Sequence, residues 1–177
     1  MNSAIEINDI TFSYGHHSIY KNLSLSIYEN QITYIMGNNG CGKTTLLNII
    51  TGFLIPTFGT IKVFRIDIRK LNSKELAKRI AYVPQTIRQN IDFCVKDYLA
   101  LGRSPYLKFG FSPSNEDYAI VEKYASEMGV SEYLNFNFNQ LSGGQKQLVT
   151  ITRALIQETP IIILDEPMSA LDIGKQA

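Results

Sequence analysis

Near the start of the chain, apolar residues fall at alternate positions in "AIEINDI" (4–10) and "LSLSI" (23–27). A period of two predicts half-buried strands with one face inward and one face to solvent. "QITYIM" (31–36) is more continuously apolar and predicts a buried strand. It runs into "GNNGCGKTTLLNIITG", a glycine-rich turn opening into an apolar helix. "PTFGTIKVF" (56–64) reads as a turn followed by a strand. "NSKELAKRI" (72–80) reads as a helix with Asn72 as N-cap and Glu75 closing a capping box. "AYVPQ" (81–85) is a short strand stopped by Pro84.

From residue 86 to 140 the pattern turns helical. "VKDYLALG" and "EDYAIVEKYASEMG" carry helical spacing, the second opened by Ser112 with Pro113 at the first helical position. "LSGGQKQLVTITRALIQ" predicts one more helix, and "IIIL" (161–164) a buried strand. Strand, helix and strand alternate, which favours an α/β fold with a parallel sheet covered by helices. The organisation expected is one domain: a nucleotide-binding core over 1–85, a helical subdomain over 86–140, and a helix, strand and loop over 141–177.

Composition narrows the function. A 177-residue chain that is 45% hydrophobic has ample material for one core. Seventeen basic against sixteen acidic residues leave a formal charge of +1, which argues against a chain held mainly by nucleic-acid phosphates. The two cysteines, Cys41 and Cys94, form no CxxC pair, and the N-terminus lacks a basic and an apolar signal region. Both point to a reducing, cytosolic setting. No stretch approaches the ~20 apolar residues needed to cross a bilayer, so a membrane connection is expected to run through a partner.

The chemistry lies in the glycine-rich turn and the last strand. Residues 37–44, "GNNGCGKT", fit G-x-x-x-x-G-K-[ST] between a predicted strand and a predicted helix. Glycines let main-chain N–H groups curl around phosphate oxygens, and the helix N-terminus adds partial positive charge. Lys43 can reach the β- and γ-phosphates, and the Thr44 hydroxyl can ligate Mg²⁺. "IIILDE" delivers Asp165 and Glu166 at the end of a strand, where open α/β sheets bind ligands. Asp165 is the candidate for the Mg²⁺ shell, and Glu166 for orienting or deprotonating an attacking water. In "LSGGQ", Ser142 and Gln145 form a capping box, and Gly143 and Gly144 leave the first N–H groups uncovered as a second anion site. His16 and His17 read as exposed loop residues and "NFNFN" (135–139) as connecting structure.

Taken in order, "GNNGCGKTT", "YVPQ", "LSGGQ", "ILDEP" and "SALD" resemble the nucleotide-binding domain of an ABC ATPase over nearly the whole chain. The resemblance implies a P-loop core with N-terminal antiparallel strands and an inserted helical subdomain. It implies that Gly37, Asn38, Asn39, Gly40, Cys41, Gly42, Lys43, Thr44 and Thr45 bind ATP phosphates and that Tyr14, in "FSYG", stacks on adenine. Gln85 matches the glutamine that senses Mg²⁺ and water and links to the membrane partner. Ser142, Gly143, Gly144 and Gln145 would face nucleotide held by a second ATPase subunit, with Asp172 across that interface. A homodimer, ATP and Mg²⁺ are therefore expected. So are a separate membrane permease on whose cytoplasmic face the chain sits, and an indirect link to a substrate-binding protein.

Within the family, "YLALGRSPYLKFGFSPSNEDY" and "SALDIGKQ" resemble importers of iron–siderophore complexes, haem and cobalamin, with molybdate and tungstate importers as relatives. Residues 87–97 are the expected lining of the permease groove. The stretch between Thr44 and Ser142 lacks the heptads of a chromosome-organising ATPase. A ribosome-acting soluble ABC protein and an ATP-binding module without turnover remain as alternatives. In the family a further strand and a γ-phosphate-contacting histidine follow the "SALD" loop, and these 177 residues contain neither. The expectation is an incomplete form of a longer ATPase, with a gap at the centre of its sheet, weakly folded and slow in turnover. Asn38, where proline is common in the family, and Met168, where threonine is common, remove no phosphate ligand.

Overall fold

The computed structural model describes residues 2–86, 91–108 and 112–166, and the chain divides between Arg79 and Ile80 into two compact units. The first unit holds an antiparallel sheet of order β2-β1-β3-β4. Its strands are β1 (Ser3–Tyr14), β2 (His17–Tyr28), β3 (Phe58–Val63) and β4 (Ile66–Asp67). Ile5 and Ile7 alternate inward, but Ile10 and Phe12 are one residue out of phase with them, and all four are buried. A bulge reconciles the two pairs: the β1–β2 register shifts between Ile7 and Ile10, and Asp9 takes a φ of 51°. Ser24 closes the bulge, accepting the Asp9 N–H at 2.8 Å while its hydroxyl donates to Asp9 Oδ1 at 3.0 Å.

Helix α1 (Lys43–Ile50) follows the glycine-rich turn and buries Leu46, Leu47, Ile49 and Ile50. The run before that turn departs from the sequence reading. Residues 31–36 belong to no strand, and Ile32, Tyr34 and Met36 are 83%, 80% and 90% exposed. An apolar run becomes a strand only where a neighbouring ladder accepts its N–H and C=O groups. No strand of the described residues pairs with this one. The short helix α2 (Ser73–Ala77) opens with the predicted Asn72–Glu75 capping box.

In the second unit, β5 (Ile80–Val83) and β6 (Ile161–Leu164) pair in parallel, Tyr82 opposite Ile163 and Val83 opposite Leu164. The helices are α3 (Val95–Ala100), α4 (Asn115–Glu127) and α5 (Gly143–Ile156). Ala154 of α5 packs with Ala81 and Val83 of β5. The other face of α5 joins Val95, Leu99, Val121 and Ala125 of α3 and α4 in one apolar cluster. Two local readings need correction. Helix α4 is capped by Ser114, not Ser112: Asp117 donates its N–H to the Ser114 hydroxyl oxygen and accepts the Ser114 N–H, closing a box that Ser112 cannot make. "NFNFN" is more than a connector, since Phe138 is wholly buried with its ring centroid 4.3 Å from that of Tyr98.

Candidate functional site

The turn over residues 37–42 is shaped by two glycines in left-handed conformation, Gly40 at φ 79° and Gly42 at φ 104°. At Gly42 even a methyl group is excluded, because a Cβ would lie 2.7 Å from Tyr20 Oη and 2.8 Å from Ile19 Cγ2. The Tyr20 hydroxyl donates to the Gly42 carbonyl at 2.8 Å, and the same oxygen accepts the Leu46 N–H at 2.9 Å. Burial first, and then the neighbouring Cys41, push the Tyr20 hydroxyl above its ordinary pKa, so it remains a donor. The Lys43 ammonium donates to the Gly37 carbonyl at 2.9 Å and the Asn38 carbonyl at 3.3 Å, so the loop curls around a cation. Helix α1 starts with no side-chain cap and no acidic residue in its first turn. Its first amides and the ammonium present a donor set with net positive character, which fits a polyphosphate. Asn38, Asn39, Cys41 and Thr44 are exposed, whereas Thr45 is buried in α1.

In the second unit β6 is followed directly by Asp165, only 2% exposed. Its N–H donates to the Val83 carbonyl at 3.0 Å, and its Oδ2 accepts the Tyr82 hydroxyl at 3.1 Å. Burial, and then the charge of Asp165, push the Tyr82 phenol up to about 12. The next residue, Glu166, is exposed and takes a φ of 45°, a conformation that costs a non-glycine residue about 1–2 kcal/mol. Such strain is found where geometry serves a site. Glu166 Oε2 accepts from Gln85 Nε2 at 2.6 Å, so two residues separated by the whole helical subdomain meet.

The glycine-rich start of α5 forms as read. The Ser142 hydroxyl accepts the Gln145 N–H at 3.3 Å, and Gln145 Oε1 accepts the Ser142 N–H at 2.8 Å. A Cβ on Gly143 would meet nothing within 4 Å, so the first turn opens to solvent. Tyr14 ends β1 with half its surface exposed, set edge-on against Phe12 with centroids 5.0 Å apart. His16 and His17 are exposed. Asp172 and Met168 lie outside the described residues, as do positions 87–90 of the expected permease groove.

Among the described residues no three His, Cys, Asp or Glu side chains cluster as a metal cage. The Thr44 hydroxyl in the first unit and the Asp165 carboxylate in the second are each a hard oxygen donor of the kind Mg²⁺ uses. Each donor, taken by itself, suits the metal. Sequence reasoning did not find Tyr20 as a support for Gly42 or Tyr82 as a partner of Asp165. Tyr82 stands inside the quoted "YVPQ", but its contact spans 83 positions and has no local signature.

A phosphate-cradling turn at the head of a helix, with a parallel strand ending in Asp-Glu, defines a P-loop nucleotide-binding protein. Residues 20–169 match the family model described as ABC transporter. A protein of Helicobacter pylori named "Probable iron chelatin transport ATP-binding protein" is 37% identical over 174 residues, covering 98% of this chain and 68% of its own length. The petrobactin import ATP-binding protein of Bacillus anthracis is 35% identical over 176 residues, covering 99% of this chain and 64% of its own length. Among solved structures, a metal-chelate type ABC transporter in an inward-facing conformation superposes with a TM-score of 0.83 at 31% identity. That match covers 98% of this chain and 63% of the other. The chain belongs to the ABC transporter ATP-binding family and is an ATP-binding domain of that ATPase class. It spans about two thirds of the length of these relatives. No helix of the described residues is long and apolar enough to cross a membrane.

Proposed function

We propose that this chain belongs to an ATP-hydrolysing subunit that powers import of a metal chelate through a separate membrane permease. The carrying observation is the bond between Gln85 and Glu166 beside buried Asp165 at the end of β6. It joins the residue proposed to report on the permease to the residue proposed to handle water. The relatives named for iron chelatin and petrobactin transport support the cargo class.

In this reading the amides of residues 37–45 and the Lys43 ammonium bind the β- and γ-phosphates, and Tyr14 offers its exposed ring to adenine. Thr44 and Asp165 would be the ligands for Mg²⁺, which when bound would supply positive charge to the phosphates. Glu166 positions the attacking water and accepts its proton, and Gln85 orients that carboxylate. Ser142, Gly143, Gly144 and Gln145 present the bare first turn of α5 to nucleotide on a second subunit, with Asp172 at the same interface. The cytoplasmic face of the membrane is the expected location, through the permease.

The test is turnover by the full-length protein with its permease. Lys43→Ala removes a charge-assisted contact worth roughly 1.5–3 kcal/mol, so ATP binding should weaken about ten- to a hundredfold. Glu166→Gln should retain ATP and accumulate a dimer while phosphate release collapses. Equal phosphate release by wild type and Glu166→Gln removes Glu166 from its role.

A further inference from the structure

We propose that Tyr82 is a positioning residue for the metal, its hydroxyl holding the Asp165 carboxylate in the orientation that offers Oδ1 to Mg²⁺. The inference rests on Asp165 being the metal carboxylate. It goes further by naming the group behind that carboxylate.

Strand β5 grips Asp165 at two points. The Val83 carbonyl accepts its N–H at 3.0 Å and fixes the backbone just beyond the β5–β6 ladder. The Tyr82 hydroxyl donates to Oδ2 at 3.1 Å and fixes the rotation of the side chain. Among the described residues Tyr82 is the hydrogen-bond partner of this carboxylate, which is 2% exposed and so has little water to hold it. Burial makes this contact matter: with a fixed donor on Oδ2 the carboxylate cannot rotate freely, and Oδ1 is its less engaged oxygen. Partners of this kind behind a ligand carry roughly 10–100-fold in metal affinity. Tyr82 itself sits in the middle of the parallel pair, opposite Ile163, so its position follows from strand register and not from a loop.

The experiment uses the full-length protein loaded with ATP and Mn²⁺ as a paramagnetic probe of the metal position. Tyr82→Phe keeps the ring and removes only the donor. The expected result is a loss of tenfold or more in Mn²⁺ affinity read by electron paramagnetic resonance, with ATP affinity in EDTA and the melting temperature unchanged. Replacing Tyr82 with p-aminophenylalanine, which restores an N–H donor on the same ring, should recover the affinity. Unchanged Mn²⁺ affinity in Tyr82→Phe overturns the proposal, and so does an equal loss of metal-free ATP binding. Asp165→Asn serves as the separate control: if it binds Mn²⁺ like wild type, the metal role of Asp165 itself has failed. Should Tyr82→Phe fold poorly, wild-type protein labelled at the tyrosine ¹³Cζ gives a second reading. The Tyr82 signal should move when Mg²⁺ is added to the ATP complex, and a fixed signal overturns the proposal.

Discussion

Arg103 tests how the helical part of the second unit is held together. Its side chain is almost wholly buried. Nε donates to Asp117 Oδ1 at 3.0 Å, and Nη1 donates to the Ile156 carbonyl at 3.1 Å and to Glu158 Oε2 at 2.8 Å. The guanidinium also lies over the Tyr106 ring, 4.3 Å from its centroid. One side chain thus joins the first turn of α4 to the last turn of α5, the helix whose other end carries Ser142 and Gly143. Arg103→Met keeps the stem and deletes every polar contact. Glu158 is 42% exposed and turns to water at little cost, whereas Asp117 is 13% exposed and, among the described residues, is left with its Ser114 donors. Breaking a buried pair from one side costs about 3–5 kcal/mol, and the relief at Glu158 places this variant near the lower end. At about 2–4 °C per kcal/mol for a chain of this size, the midpoint should fall by roughly 6–12 °C in scanning calorimetry. A double-mutant cycle with Asp117→Asn should return a coupling of about 0.5–3 kcal/mol. That coupling should barely change with salt, because the pair is shielded from counterions. A midpoint drop under about 2 °C, or zero coupling, would refute the assignment of Arg103 as the tie between α4 and α5.

The Asp117 carboxyl is held below its ordinary range, first by the Ser114 N–H and then by Arg103 and the Ser114 hydroxyl. With the folded pKa below the unfolded one, its contribution is fully present above about pH 4 and is lost as pH falls through the folded value. The stability gap between wild type and Asp117→Asn in urea titrations should therefore hold steady from about pH 5 to 8 and shrink in acid; a gap that widens in acid contradicts the sign. The β3–β4 turn places two non-glycine residues, Phe64 at φ 47° and Arg65 at φ 66°, in left-handed conformation. Arg65→Gly should raise stability by about 1 kcal/mol in the same assay, and a loss would show that the side chain contributes more than its backbone costs.

Much of the architecture was legible because its signals are local. The capping boxes at Asn72–Glu75 and Ser142–Gln145 need only four consecutive residues, and both formed. The start of α4 was misplaced because Asp117 closes its box where the rule looks for glutamate or glutamine. Residues 31–36 show the limit of periodicity. Apolar content gives a segment the capacity to be a strand, but pairing is a property of the neighbour, which no window along the chain contains.

The same division runs through the site. Residues 37–44 could be read because the turn, the cation and the helix start are contiguous, so their chemistry is written in one string. The groups behind them could not. Tyr20 reaches Gly42 across 22 positions and Tyr82 reaches Asp165 across 83. Gly102 is held to glycine because a Cβ would lie 2.6 Å from the Arg153 carbonyl oxygen, on another helix. Each of these residues looks interchangeable in its own neighbourhood: a tyrosine in a strand could be phenylalanine, and a glycine after a helix could be a simple terminator. Their identity is imposed by a single atom brought in by the fold. A motif therefore identifies the candidate atoms for nucleotide, and the fold supplies the donors that fix where those atoms point.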